Sequence, residues 1–277
     1  MLSYRHGFHA GNHADILKHF VLYQALEHYL QKDKPFIYAD THAGAGLYDL
    51  HATFATQNQE YDSGITRLRN AENLPPKLNA FLKAIDDCTS NQQFYPGSPL
   101  LAASLLRRQD YLRLFELHPS DYTDLDRLIK KGAMAKRASI EQRDGLKGAL
   151  AYLPPPNRRA LVLMDPSYEV KSDYQAIPKA IAAMHQRCRE ACIMLWYPLL
   201  NRDELPKMLD AVKTCAPDAY LRAELRVLAA SQPGMTGSGM LVINPPYRLS
   251  EALTATLPEL TTLLSQDPAH SSWLLRP

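Results

Sequence analysis

The sequence predicts a doubly wound α/β fold: a mostly parallel sheet with a terminal antiparallel hairpin and a small helical insertion. Three observations carry this. From about residue 111 to 213, short apolar runs alternate with helix-compatible stretches. Runs such as Leu161-Val162-Leu163-Met164 show no polar alternation, as in strands covered on both faces. Near the end, Tyr220 to Leu228 and Gly239 to Ile243 read as strands joined by a Gly-rich loop with no helix between them. A chain of 277 residues with 46% apolar and 22% charged residues can bury a full core without disulfides, which excludes a disordered or fibrous protein.

Taken in order, Asn12 opens a helix, with Asp15 three residues on as a variant of the capping box. Leu17, Val21 and Ala25 form its stripe, flanked by Leu22, Leu26 and Tyr29. It should end near Asp33-Lys34-Pro35, because proline disfavours helix in the residue before it. Phe36-Ile37-Tyr38-Ala39 then reads as a buried strand running into Asp40-Thr41-His42-Ala43-Gly44-Ala45-Gly46. From Leu50 to Tyr95 the chain turns polar and mostly helix-compatible (61–69 and 78–87, with Pro75-Pro76 between). Residues 50–95 are therefore expected to form an inserted helical subdomain, and 1–49 with 96–277 the main domain. After Pro96-Gly97-Ser98-Pro99 a short helix runs to Arg108. Strands follow at 111–115, 138–142, 160–164 and 191–196, with helices near 121–131, 172–187 and 201–213.

Net charge is only +2, so any nucleic-acid surface must be local. Arg107-Arg108, Lys130-Lys131, Lys136-Arg137 and Arg158-Arg159 each read as a solvated face. Together with Arg5, Lys18, Lys32 and Lys34 they outline a candidate phosphate-binding surface around the pocket. No stretch reaches the roughly 18 apolar residues of a membrane span, and the first six residues lack a signal-peptide core. Cys88, Cys188, Cys192 and Cys215 form no CxxC pair and read as reduced thiols, so the expected location is the cytoplasm. The spacing of His6, His9, His13 and His19 matches no zinc signature, and no metal is expected.

Ligands of doubly wound sheets bind beyond the carboxyl ends of the strands. There the sequence delivers Asp40, Glu116, Asp144 and Asp165. Gly44-x-Gly46 permits close approach of a ligand to backbone, or simply a tight strand-to-helix turn. Asp49 stands where a dinucleotide fingerprint needs its third glycine, and there is no P-loop. Glu116 suits a ribose diol or is an exposed strand end. Asp144 suits an exocyclic amine or is the N-cap before Leu146.

Asp165-Pro166-Ser167-Tyr168 is the most informative tetrapeptide. An Asp-Pro turn after a buried strand points a carboxylate and a carbonyl outward, and an aromatic two residues later can stack on a planar base. These groups suit an amine on an aromatic ring, a poor nucleophile because its lone pair is delocalised. Hydrogen bonds from its N–H to Asp165 and the Pro166 carbonyl favour a pyramidal, more nucleophilic nitrogen.

This tetrapeptide resembles the [DNS]PP[YFW] motif of amino-group methyltransferases, and Asp40-x-x-x-Gly44-x-Gly46 resembles their cofactor motif. Further matching stretches are residues 2–6, 8–15 and 17–19, Tyr95-Pro96-Gly97-Ser98-Pro99, residues 116–122 and Gly239 to Pro246. Over the whole chain, the sequence resembles the bacterial 23S ribosomal RNA adenine-N6 methyltransferases of the RlmJ type. The resemblance implies a monomeric, Rossmann-like class I methyltransferase that uses S-adenosylmethionine and acts on 23S ribosomal RNA. It implies that His19, His42, Ser98, Glu116, Asp144 and Gly145 line the cofactor site, beside Gly44, and that Asp165 is the catalytic carboxylate. Tyr4 and Lys18 would lie near the active-site mouth, with Tyr4 facing the RNA. Ser167 departs from the pattern, which has a second proline there; serine leaves φ free and adds an N–H. Two other readings of the motif are a methyltransferase for a small-molecule or protein amide nitrogen and a catalytically silent RNA-binding relative. Asn244-Pro245-Pro246-Tyr247 matches the pattern better by spelling, but follows the terminal hairpin. It is expected to be a proline stop after an edge strand.

Overall fold

The computed structural model describes residues 6–216 and 219–277. Its strands are β1 (Ile37–Asp40), β2 (Leu47–Asp49), β3 (Phe94–Pro96), β4 (Tyr111–Phe115), β5 (Ala138–Glu141), β6 (Ala160–Met164), β7 (Cys192–Pro198), β8 (Tyr220–Arg226), β9 (Gly237–Ile243) and β10 (Ser272–Arg276). The helices are α1 (His13–Leu30), α2 (Thr53–Asn58), α3 (Ile65–Arg69), α4 (Pro76–Asp87), α5 (Ser98–Leu105), α6 (Pro119–Lys130), α7 (Gly145–Gly148), α8 (Asp173–Arg187), α9 (Glu204–Cys215) and α10 (Leu249–Leu264).

Among the described residues the main sheet runs β10-β8-β9-β7-β6-β1-β4-β5. The five strands from β7 to β5 are parallel, and β9, β8 and β10 are antiparallel. The chain leaves β1 outward to β4 and β5, then crosses back to β6 on the other side of β1. That reversal opens a crevice above the carboxyl ends of β1 and β6. The antiparallel end is larger than the expected hairpin: β9 lies between β7 and β8, and α10 returns the chain to pair β10 with β8. Asn244 therefore follows an interior strand, not an edge strand.

One apolar cluster covers the α1 face of the sheet, through Leu17, Phe20, Leu101, Leu253 and Leu257. A second covers the face of α8 and α9, through Ile177, Ile181, Met208 and Val212. Within the expected 50–95 segment, residues 50–93 fold as short helices and loops between β2 and β3, which pair antiparallel. Their buried Ile65, Leu68, Leu78, Phe81 and Ile85 join the α1 cluster, where Phe81 meets Phe20 edge-on at 5.6 Å. The segment has no core of its own among the described residues.

Helix α1 is capped by Asn12, whose side chain accepts from Ala14 N and Asp15 N. Asp15 does not close a capping box onto Asn12; its Oδ2 accepts from Gly11 N at 2.9 Å. The helix is buried well beyond one stripe, which places Asp15, Lys18 and His19 inside the protein. Buried charge on such a helix points to function.

Candidate active site

A cleft of about 830 Å³ opens above the crevice. Its floor is set by Asp40, which is fully buried. Ser98 Oγ and Tyr38 Oη donate to Asp40 Oδ2 at 2.6 and 2.9 Å, and His42 N donates to Oδ1 at 3.3 Å. Burial raises the Asp40 pKa to about 6. Asp40 thus ties the turn after β1 to the start of α5 and does not itself line the cleft.

The turn then presents His42 and Gly44 to the cleft. Gly44 has φ +63°, the left-handed region glycine favours. Its N–H donates to Glu116 Oε2 at 2.8 Å, and His118 N donates to Oε1 at 2.7 Å. Burial raises the Glu116 pKa, the two backbone donors partly offset that, and each oxygen keeps a lone pair for a ligand. Across the cleft, Asp144 caps α7 by accepting from Leu146 N at 2.9 Å, as the N-cap reading requires, while still lining the cleft. A Cβ on Gly145 would sit 2.0 Å from the Thr41 carbonyl oxygen, so only glycine lets α7 close against the turn.

Below the mouth lies a chain of charges. Lys18 Nζ donates to Asp165 Oδ2 at 2.6 Å and reaches Asp15 Oδ1 at 2.7 Å. Asp15 also receives His6 Nε2 at 3.0 Å. Lys18 is 3% exposed. Burial alone would lower its pKa, but the two carboxylates reverse the sign and raise it. For Asp15 burial works against ionisation, and His6 and Lys18 overcome it, holding the carboxyl well below its ordinary range. Lys18 is therefore a buried partner of Asp165 and takes no part in an exposed phosphate surface. The sequence reading took Asp15 only as a capping residue; its three-residue spacing to Lys18 on one helix face was the available signal for the charge pair.

Two histidines are buried neutral. His19 Nδ1 pairs with Tyr95 Oη at 2.8 Å, and its Nε2 is buried without a partner among the described residues. His13 Nε2 is likewise unpaired, and burial lowers the pKa values to about 3 and about 4. Burial also lowers that of His42 to about 4. A depressed base pKa stabilises the fold above the unfolded value of about 6.5 and loses that contribution as pH falls toward the folded value. Between pH 6.5 and 5, His13, His19 and His42 should together remove about 5 kcal/mol, of which Asp40, whose pKa is shifted the other way, returns about 1. Urea unfolding at pH 7 and pH 5 should show a net loss of roughly 4 kcal/mol; equal midpoints would refute the buried neutral histidines.

A second cavity of about 650 Å³ adjoins the first and shares His6, Lys18, Asp165 and Ser167 with it. Trp196, Pro198, Leu200 and Met235 line its apolar side. Asp165 stands at the seam, its side chain 13% exposed. The rest of the tetrapeptide departs from expectation. Pro166 and Tyr168 are buried and line neither cavity, whereas Ser167 lines both. Tyr168 is 2% exposed, donates to the Trp196 carbonyl at 2.7 Å and packs on Tyr174 and Trp196. Its φ of +55° turns the ring into the core. A ring so packed offers no face to a base; the aromatic at the cavity wall is Trp196. Tyr168→Phe should cost about 1 kcal/mol of stability through the lost hydrogen bond. It should leave KM for the acceptor unchanged, as saturation kinetics would show. Tyr4 lies outside the described residues.

The basic clusters are also not where the sequence put them. Arg107-Arg108, Lys136-Arg137 and Arg158-Arg159 immediately precede β4, β5 and β6, so they flank the amino ends of the strands, opposite the cleft. Some are structural: Arg107 grips Asp110 at 2.9 Å, and Arg159 donates to the Tyr29 carbonyl at 2.8 Å.

The sheet order, the glycine turn after β1 and a carboxylate after the fourth strand counted from it define a Rossmann-like class I methyltransferase. A family model described as ribosomal RNA large subunit methyltransferase D, RlmJ, matches residues 33–275, and the chain belongs to that family. It is 44% identical to the Escherichia coli K12 protein named ribosomal RNA large subunit methyltransferase J, over 99% of both chains. It is 41% identical to the Haemophilus influenzae protein of the same name, over 99% of this chain and 97% of that one. A solved Legionella pneumophila structure superposes with TM-score 0.88 at 36% identity, covering 97% of this chain and 98% of that one. Membership makes S-adenosylmethionine the cofactor.

The cleft suits that group. Among the described residues its wall carries Glu116, Asp121, Asp144 and Asp165, against a single lysine already paired, which favours a sulfonium cation. The orphaned His19 Nε2 offers a further polar contact. No helix among the described residues is long and apolar enough to cross a membrane.

Proposed function

We propose that the protein transfers a methyl group from S-adenosylmethionine to N6 of an adenine in 23S ribosomal RNA. The observation that carries this reading is the position of Asp165, at the seam between an acid-lined cleft and an apolar slot walled by Trp196. His19, His42, Gly44, Ser98, Glu116, Asp144 and Gly145 would hold the cofactor in the cleft. When bound it supplies an electrophilic methyl group.

The adenine enters the slot edge-on to Asp165, which requires its extrusion from the RNA stack. Lys18 occupies Asp165 Oδ2. Among the described residues nothing donates to Oδ1, so that oxygen accepts from the N6–H of the base. This hydrogen bond would orient the nitrogen lone pair and stabilise the positive charge that grows on N6 as the N–C bond forms and the methyl–sulfur bond breaks; the extra proton on N6 would then pass to solvent. Lys18 fixes the carboxylate in one rotamer and cannot reorient, because Asp15 grips its other side. On the family resemblance the protein is taken to act as a monomer in the cytoplasm, with no metal.

The reading is tested by offering unmodified 23S ribosomal RNA and a glutamine-containing peptide as acceptors of labelled methyl. Label on the RNA alone is expected. Label on the peptide and none on the RNA would replace the reading by an amide methyltransferase.

A further inference from the structure

Asn244-Pro245-Pro246-Tyr247 plays no part in the cleft, yet it is built with care. Asn244 has φ +49° and is pinned at both ends: its N–H donates to the Ala219 carbonyl at 2.9 Å, and its side-chain amide donates to the Arg189 and Ala191 carbonyls. Leu249 N then bonds the Pro246 carbonyl at 2.9 Å and starts α10. This locked turn holds up Tyr247, which is 89% exposed. The tyrosine borders a groove of about 580 Å³ that also includes His28, Lys32, Arg158 and Arg159. Lys32, Arg159 and Arg248 all act on His28 as positive charges. Among the described residues Glu190 is the one carboxylate lining the groove, and Arg158 takes it at 2.9 Å.

The groove lies at the amino end of β6, five residues of strand from Asp165, or about 16 Å. On α1, His28 follows Lys18 by ten residues, about 15 Å of helix. The other basic clusters of the sequence flank this same edge. An exposed ring on a rigid turn, ringed by cations, has the chemistry that stacks an unpaired base and holds its phosphates.

We propose that this edge is a second RNA-contact surface, on which Tyr247 stacks an unpaired base of the substrate RNA and Lys32 and Arg248 hold the adjoining phosphates. The inference rests on the reading of the protein as an RNA methyltransferase and adds a remote contact that sets affinity without touching the chemistry. A protein partner on the same face is the competing occupant.

The test uses unmodified 23S ribosomal RNA with the wild type and with Tyr247→Ala, Tyr247→Phe and Lys32→Ala. At 89% exposure, Tyr247 can be replaced without disturbing the core. Tyr247→Ala should raise both the Kd for RNA and KM by roughly tenfold, leaving kcat unchanged, and Tyr247→Phe should restore wild-type values. Lys32→Ala should reduce the slope of log K against log salt by roughly 0.7 to 0.9. Wild-type Kd and salt slope in both alanine variants would overturn the proposal, even if Tyr247→Ala loses a protein partner. Binding is read separately from transfer. A wild type that binds the RNA but transfers nothing would therefore indict the methyltransferase reading, while the Tyr247 result would still stand or fall on its own.

Discussion

Lys18→Met is expected to destabilise the protein by about 3–5 kcal/mol, the usual effect of removing one partner from a buried ion pair. Lys18 is 3% exposed, and its ammonium lies between Asp15 and Asp165, whose side chains are 2% and 13% exposed. Methionine matches the length of the stem but leaves two carboxylates facing each other with the cation they share gone, His6 remaining on Asp15 alone. The midpoint of thermal unfolding should fall by roughly 10 °C. Adding Asp15→Asn should recover part of the loss, because residues in one network couple strongly. A Lys18→Met midpoint within 2 °C of wild type would contradict the buried triad.

Asp165→Asn should cut methyl transfer to a small residue while the cofactor still binds. The amide keeps the shape and fills the same seam, but offers one acceptor oxygen, no charge, and an NH2 that would face Lys18 or the amine of the base. Losing one electrostatic stabiliser of a developing charge lowers kcat by roughly 100- to 1,000-fold. Cofactor affinity, read by calorimetry, should move far less, since Glu116, Asp121 and Asp144 remain on the cleft wall. A loss of binding equal to the loss of rate would mean that Asp165 serves the cofactor and not the acceptor.

Much of the fold was legible because buried parallel strands show as short apolar runs, and β4 and β6 fall on the expected residues. Strand-end carboxylates follow from the same reading, since parallel strands deliver their carboxyl ends to one edge. What could not be read depended on long-range pairing. Nothing local tells that β10 returns to β8, or that β2 and β3 pair across 44 intervening residues of helix and loop. Asp15 reads locally as a cap, and only the approach of Asp165 turns it into one end of a charge chain. Tyr168 misleads for a similar reason. Its place after Asp-Pro suggests an exposed stacking ring, but its positive φ and the nearby Trp196 carbonyl draw it inward. The basic pairs were easy to see and hard to place: three of the four precede a strand, and that alone puts those three on the edge away from the cleft.

The most direct test of the central claim is nucleoside analysis of unmodified 23S ribosomal RNA after incubation with the protein and labelled S-adenosylmethionine. The account predicts N6-methyladenosine as the labelled nucleoside, present with the wild type and cut to a small residue with Asp165→Asn. Label on a ribose, on a ring carbon or on another base, or an equal yield from the Asp165→Asn variant, would contradict it.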